Sequence, residues 1–579
     1  MKNLRIILAI VLLGVSFAGC DSMLDKPPLD RFVQENFFTS EANVRGYGWG
    51  FYNDFTGYGT SGSGDFYFPT LNDNQVGAGF TRFTQNVPAT DTYWNGRWTM
   101  IRRSNIMIDQ VKDMSNISDE ARAHWLAFGK LFRAWSHYRL VRRYGDVPWV
   151  EKTLDITDGD ILFGPRTNRD IVMDNVLKDL EAIDDLYNNT LQNQVNRAVG
   201  YAIKSEICLY EGTQRRYRPN PDEAGAVRFL QESVAASEAL MTGAAFSAGG
   251  GTGRTYSLAP SYRSLYNSVS LAGNSEIILC KEYLIAVMGH GVIAYTVGST
   301  QSNGMSKNAF ESYLFTDGQP LASTTRDKND AATPTYSGDP LELTRMDISH
   351  MLSVRDSRLA QTIDNELAYT GRATVQGGAT ASTGYRIIKF DNPALPWDPN
   401  RQSINSNDTD APLFWLAVIY LNFAEAKAEL GNITQDDLDR SINRLRNRTG
   451  TPTGLPNLTL TPTPDPANNM GVSDLIWEIR RERRVELFAD NNFRRWDLIR
   501  WRQLDKMDSE DYPDVLWGAN LSDAPAQTEK TLTPEGYIDG RFINNERFER
   551  RFNDRYYLEP IPQGQIDLNP QLRPNNPGW

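Results

Sequence analysis

SDEARAHWLAFGKLFRAWSHYRLVRRYGDVPWV, residues 118–150, is the stretch on which the fold class turns. Ser118 stands where a side-chain oxygen caps a helix. Ala121, Trp125, Phe128, Phe132 and Trp135 then recur at alternating spacings of four and three, the mark of one apolar helical face. Gly145 ends the pattern, with Pro148 just beyond it. A second helix is expected to open at Thr167, with Asp170 three residues on in a capping-box pattern and Val176, Leu180, Ile183 and Tyr187 on one face. The same texture continues through AVGYAIKSEICLYEGTQRRY (198–217) and AVRFLQESVAASEALM (226–241). Successive helices joined by short links imply antiparallel hairpins stacked on one another. The expected class is mainly α, a tetratricopeptide-like array with a degenerate repeat.

Upstream, residues 36–55 read as helical. Residues 57–88 open with GYGTSGSGDFYFPTLNDNQVGAGFTRF, which cannot hold a regular helix and reads as a long loop. Between about 244 and 410 the chain turns to Gly, Ser, Thr and Asn with short apolar pieces, an irregular loop-rich insertion. Helical pattern returns at 413–430, 436–448 and 474–506, and residues 556–579 look extended. Length alone would suggest several domains for this chain of 579 residues. Its helical scaffold covers about 36–243 and 411–510, and a loop-rich region covers about 244–410. Insertions on a rigid scaffold are where binding residues concentrate.

The first twenty residues, MKNLRIILAIVLLGVSFAGC, place Lys2 and Arg5 before an apolar run over 6–15 and small residues before Cys20. This is a secretory signal, and the run is shorter than the roughly 20 residues that span hydrocarbon. A cysteine after Ala18 and Gly19 makes it a bacterial lipoprotein signal. Residues 1–19 are expected to be removed, Cys20 to carry lipid, and 20–35 to form a polar tether. Cys208 and Cys280 sit in apolar contexts and read as free, buried thiols. His124, His137, His290 and His350 lack metal-ligand spacing. A net charge of −12 argues against nucleic acid as a partner. Ser-His-Asp, G-x-S-x-G and phosphate-loop signatures do not occur.

Ten segments in order carry a resemblance: CDSMLDKPP (20–28), NFFTSEANVRGYGWGFY (36–52), WNGRWTMIRRSNIMID (94–109), GKLFRAWSHYRLVRRYGDVPWV (129–150), ESYLFTDGQPL (311–321), SVRDSRL (353–359), YLNFAEAKAELGN (420–432), INRLRNRTGTP (442–452), IRRERRVELFADNNFRRWDLIRW (479–501) and LEPIPQGQIDLNP (558–570). Together they resemble the SusD/RagB family of outer-membrane nutrient-binding lipoproteins of the Bacteroidetes. The chain departs from that pattern at Ala489-Asp490, where the family usually has Glu-Gly, and around Leu416, where an Arg is missing. The resemblance implies a single, mostly α-helical domain over 36–579, whose irregular second half supplies much of the ligand surface. It also implies a SusC-like TonB-dependent outer-membrane transporter as partner, over which the lipoprotein closes. The implied role is capture of oligosaccharides, or peptides in some members, at the cell surface, without catalysis. It implies no cofactor and leaves calcium open.

Sugar recognition needs flat apolar faces for pyranose C–H groups, and amide, carboxylate or guanidinium groups for hydroxyls. The first loop offers Tyr67, Asn72, Asp73, Asn74 and Arg82, and the insertion offers Tyr295, Asn303 and Trp397. Trp94 and Trp98 lie four apart on a helical face and serve equally as core or contact. Loops from the two regions are expected to converge on one face. In IRRERRVELF, Glu478 with Arg481 and Arg483 with Glu486 are placed to pair, and their interleaved signs favour a structural role over an anion site. The competing reading is a lipid-anchored glycoside hydrolase, for which Glu311 and Asp317 are candidate carboxylates. Such a pair would have to stand about 5 Å or roughly 6.5–9.5 Å apart across a cleft. The Asp-Gly of TDGQPL reads more naturally as a turn.

Overall fold

The computed structural model describes residues 37–77, 79, 81–246, 255–298, 302–326, 348–369, 379–521, 530–543 and 546–579. The signal, Cys20 and the tether over 20–35 lie outside the described residues.

The deciding helix forms as its sequence dictates. Ser118 accepts the Ala121 N–H, and α3, Asp119–Tyr144, ends where Gly145 turns left-handed at φ 73° and donates to Val141 O. It packs between α2, Thr92–Val111, and α4, Arg169–Asp179. Asp146 of the exit turn accepts the Arg169 N–H at 2.8 Å, so the end of one helix caps the start of the next. That start corrects the expectation at Thr167. Thr167 bridges to Val147 as extended chain, and Asn168 is the cap, accepting from Asp170 N. The first helix is shorter than the 36–55 segment read as helical. Ser40 caps α1, Glu41–Trp49, and a 3-10 turn, Gly50–Asp54, follows.

The next pair is α5, Arg197–Tyr217, and α6, Glu223–Thr242, packed closely because Gly212 lies under Leu230. A Cβ there would stand 2.7 Å from Leu230 Cγ. α6 meets α7, Leu416–Glu429, which meets α8, Asp474–Glu486. The antiparallel-hairpin expectation holds, and the fold is mainly α. The helical expectations after 410 need three corrections. Residues 411–415 form β2, Ala411–Trp415, paired antiparallel with β1, Ile277–Lys281, so this apolar run extends before it coils. The 436–448 pattern splits at Ser441 into Gln435–Asp439 and Ile442–Arg446. The 474–506 pattern breaks after α8 where Ala489, Asn491 and Asn492 adopt positive φ, and α9, Phe493–Arg500, restarts it. At the C-terminus a short helix, Gln563–Leu568, interrupts the expected extended segment.

Two large apolar clusters result. One lies among the N-terminal helices. The other joins the loop-rich region to α7 and α8. A buried ion network on α8, whose apolar residues belong to the second cluster, absorbs the charged motif. Glu478 pairs with Arg481 as expected. Arg483 and Glu486 do not pair: Arg483 takes Asp497, while Glu486 takes Arg358 and Arg448. The motif is a set of ties from α8 to the insertion and α9, as the structural reading held. Cys208 and Cys280 are buried free thiols. Among the described residues, no helix is long and apolar enough to cross a membrane.

Candidate functional site

The loop after α1 folds back on itself through left-handed glycines, Gly57 and Gly59 at φ 64° and Gly62 at φ 81°. Gly62 is required twice, because a Cβ would also meet the Tyr295 ring at 3.3 Å. The loop is tied to the insertion at two levels. On the outside, Ser61 N donates to Asn405 Oδ1 at 3.0 Å, and Asn405 Nδ2 returns a bond to Ser61 Oγ at 3.1 Å. Below, Tyr67 holds a positive φ of 61°, uncommon for an aromatic residue. Tyr67 N donates to Ala489 O at 2.8 Å, its hydroxyl donates to Tyr295 O at 3.3 Å, and the hydroxyl accepts Asn303 N at 2.9 Å. Asn303 Nδ2 and Gln75 Nε2 both donate to the Tyr67 carbonyl. Tyr67 is thus a buried pin. Its hydroxyl is pushed well above the usual phenol range by burial.

Over this pin the two loop regions share a surface. Phe68 and Tyr295 meet edge to face at 5.2 Å, and both remain partly exposed. Tyr295 lies on a π turn, Ala294–Gly298, that touches a second π turn, Trp397–Arg401. Trp397 is partly exposed and lies against the Arg401 guanidinium, which Asp391 holds at 2.7–2.8 Å. Neighbouring apolar residues also face solvent: Ile404, and on the preceding hairpin Leu284 at 62 % and Val287 at 79 %. His290 anchors this hairpin from inside, donating from Nε2 to Thr409 O and accepting Val292 N–H at Nδ1. Burial lowers its pKa to about 3, so the imidazole is neutral. Rigid aromatics with flanking amides and one fixed guanidinium suit a polyhydroxylated ligand.

The candidates therefore divide. Tyr67, Tyr295, Asn303 and Trp397 come together, the first from within and the other three with exposed surface. Asn72, Asp73 and Asn74 are buried, and their roles are corrected to scaffold. Asn72 Oδ1 caps the turn by accepting from Asn74 N and Gln75 N. Asp73 accepts both Arg494 N–H groups at 2.7–2.8 Å; burial would raise its pKa, but Arg484 and Arg494 hold it well below the usual range. Asn74 Oδ1 accepts from Arg484. Trp94 is also core, edge-on to Tyr144 at 5.0 Å, and Trp98 packs beside it and edge-on to His137. Arg82 is exposed but elsewhere, over the Phe548 ring. Phe68, Ser61, Ile404 and Asn405 were missed. Their signal was an aromatic, an apolar residue and polar turns inside Gly- and Asn-rich text. As for the hydrolase candidates, Glu311 binds Arg355 at 2.9 Å, and Asp317 accepts Gln319 N within its turn, as the Asp-Gly reading expected.

Comparison with known proteins bears on this architecture. A sequence model described as the SusD family matches residues 253–579, more than half of the chain. The chain belongs to the SusD family. A second family model, described as starch-binding associating with outer membrane, matches residues 61–209 of this SusD-family chain. A SusD-like protein from Formosa agariphila, P25, is 24 % identical over 86 % of this chain and 90 % of its own. A SusD-like protein from Bacteroides ovatus is 25 % identical, over 35 % of this chain and 38 % of its own length. Among solved structures, a SusD-like carbohydrate binding protein from Bacteroides fragilis superposes with a TM-score of 0.68 at 19 % identity, covering 93 % of this chain and all of that one. A SusD homolog from Bacteroides thetaiotaomicron gives 0.58 at 16 %, covering 94 % and 98 %. At these identities the likeness speaks for the SusD fold.

Proposed function

We propose that this SusD-family chain is a surface-exposed outer-membrane lipoprotein that binds oligosaccharides and passes them to a SusC-like TonB-dependent transporter. The observation that carries the reading is the joining of the two loop regions through Tyr67, Tyr295 and Asn303 beneath partly exposed Phe68, Tyr295 and Trp397. Family membership and the carbohydrate-binding relative of the same fold support it. Lipid on Cys20 would confine the body to the membrane plane and raise its effective concentration at the transporter mouth. A diacylated, further acylated cysteine carries enough chains for stable attachment. The loop-rich ligand region on a helical scaffold remains part of this proposal, within one domain over 36–579.

The test uses the soluble chain beginning after Cys20 on a glycan array, with reducing-end release measured on every glycan retained. Retention without new reducing ends is expected. Gentle solubilisation of native membranes should yield the chain with a large β-barrel protein. Release of reducing ends would replace the binding reading with the hydrolase one. Retention of peptides but no glycan would move the cargo to the peptide class. Recovery of the chain alone would remove the transporter from the account.

A further inference from the structure

A cavity of about 370 Å³ opens on the helical scaffold between α1 and the segment leading into α5. That volume is within the roughly 300–1,000 Å³ of small-molecule sites, and none of its lining residues belongs to the face described above. Glu41, Arg45 and Trp49 fall at i, i+4 and i+8 of α1 and present one stripe to it. Trp49 is 67 % exposed, an unusual cost for an indole with no packing role in the core. Behind it, Gly48 lets Trp125 approach so closely that a Cβ would stand 2.9 Å from the indole. The Glu41 carboxylate is already oriented. Its Oε1 accepts from Tyr187 Oη at 2.8 Å and from Trp125 Nε1 at 3.4 Å, and its Oε2 has no hydrogen-bond partner among the described residues. Arg45 has no salt bridge among the described residues, and the Gln194 amide stands exposed at the rim.

We infer that this cavity is a second saccharide subsite, which takes one pyranose with its C–H face on Trp49 and adjacent hydroxyls on Glu41 and Arg45. A carboxylate fixed at one oxygen and open at the other accepts hydroxyl hydrogens without reorganising, and a charged acceptor makes the stronger bonds. The exposed indole supplies the flat apolar face. The subsite rests on the reading that this chain binds glycans. A glycan long enough to reach both sites would have its effective concentration at each raised by the other.

The test is ¹⁹F NMR of the soluble chain carrying 5-fluorotryptophan, with Trp49 and Trp397 assigned by Trp49→Phe and Trp397→Phe. The probes are the methyl glycosides of glucose, galactose, mannose, xylose, rhamnose and glucuronic acid, each titrated to 100 mM. A saturable shift of Trp49 with at least one glycoside is expected. Glu41→Gln should weaken that titration at least tenfold, and Arg45→Ala provides a second variant on an exposed position. Movement of Trp397 while Trp49 stays fixed with every probe would overturn the subsite and leave the first face standing. Movement of Trp49 alone would support the subsite and remove the first face. Movement of neither would overturn both.

Discussion

Arg358→Met will lower the unfolding free energy by about 3–5 kcal/mol at pH 7, the range for removing one partner from a buried ion cluster. Arg358 is buried and bonds three carboxylates at once: Asp356, Glu482 at 2.9 Å and Glu486 at 2.8 Å. Two other guanidiniums share them, Arg446 on Glu482 and Arg448 on Glu486 and Glu276. Methionine keeps much of the volume but leaves the acidic groups facing one another. Arg358→Lys should recover little, because one compact ammonium nitrogen cannot span the three carboxylates that Nε, Nη1 and Nη2 of the planar guanidinium reach separately. The deficit should also shrink as pH falls. Burial already raises the Asp356 carboxyl, and losing its guanidinium raises it further, so the folded variant binds protons before the unfolded chain does. Urea denaturation at pH 7 and pH 5 measures both effects. A loss under 1 kcal/mol at pH 7 would mean the cluster is not holding α8 to the insertion.

The second large effect is acid lability from three buried imidazoles. Each uses its hydrogen bonds in a way that suits only the neutral ring. His124 Nδ1 accepts Tyr187 N–H, His137 donates to Arg133 O and accepts Val150 N–H, and His290 bonds Thr409 O and Val292 N–H. Burial lowers each to about 3, against about 6.5 in an unfolded chain. Below about pH 6.5 the unfolded chain therefore binds more protons, and stability falls as pH falls. The slope is about 1.4 kcal/mol per pH unit for each histidine, roughly 4 for the three. Asp490 works the other way, because burial raises it to about 6 even with Lys389 at 2.9 Å, and it offsets part of the slope below that pH. His290→Asn isolates one imidazole. Its urea stability should vary with pH less steeply than the parent chain's by about 1.4 kcal/mol per unit between pH 6 and pH 4. Parallel pH profiles for the two chains would contradict the neutral-imidazole account.

Helices with strong apolar stripes were legible in the sequence because their information is local. Ser118, the 4-3 repeat and Gly145 define α3 without reference to anything else. Thr167 misled because a bridge to Val147 competes with helix initiation, and that partner lies twenty residues away. Leu413 to Trp415 misled likewise, since an apolar run is helical or extended according to the strand it finds, here Ile277–Lys281. The site was half legible. Aromatic and amide residues in loops marked the two regions that converge. Residue type alone could not separate Tyr67, which pins the loops, from Tyr295, which presents a surface. Nor could it foresee that Asp73 would be taken by Arg494 and Arg484, over four hundred residues on.

The most direct test of the account is titration calorimetry with the glycan retained most strongly on the array, against the parent chain, Tyr295→Ala and Arg82→Ala. These residues carried equal standing in the sequence, and only the fold separates them. Tyr295→Ala should weaken binding at least tenfold, about 1.4 kcal/mol, while Arg82→Ala stays within twofold. Unchanged affinity in Tyr295→Ala, or a larger loss in Arg82→Ala, would contradict the assignment of the ligand face.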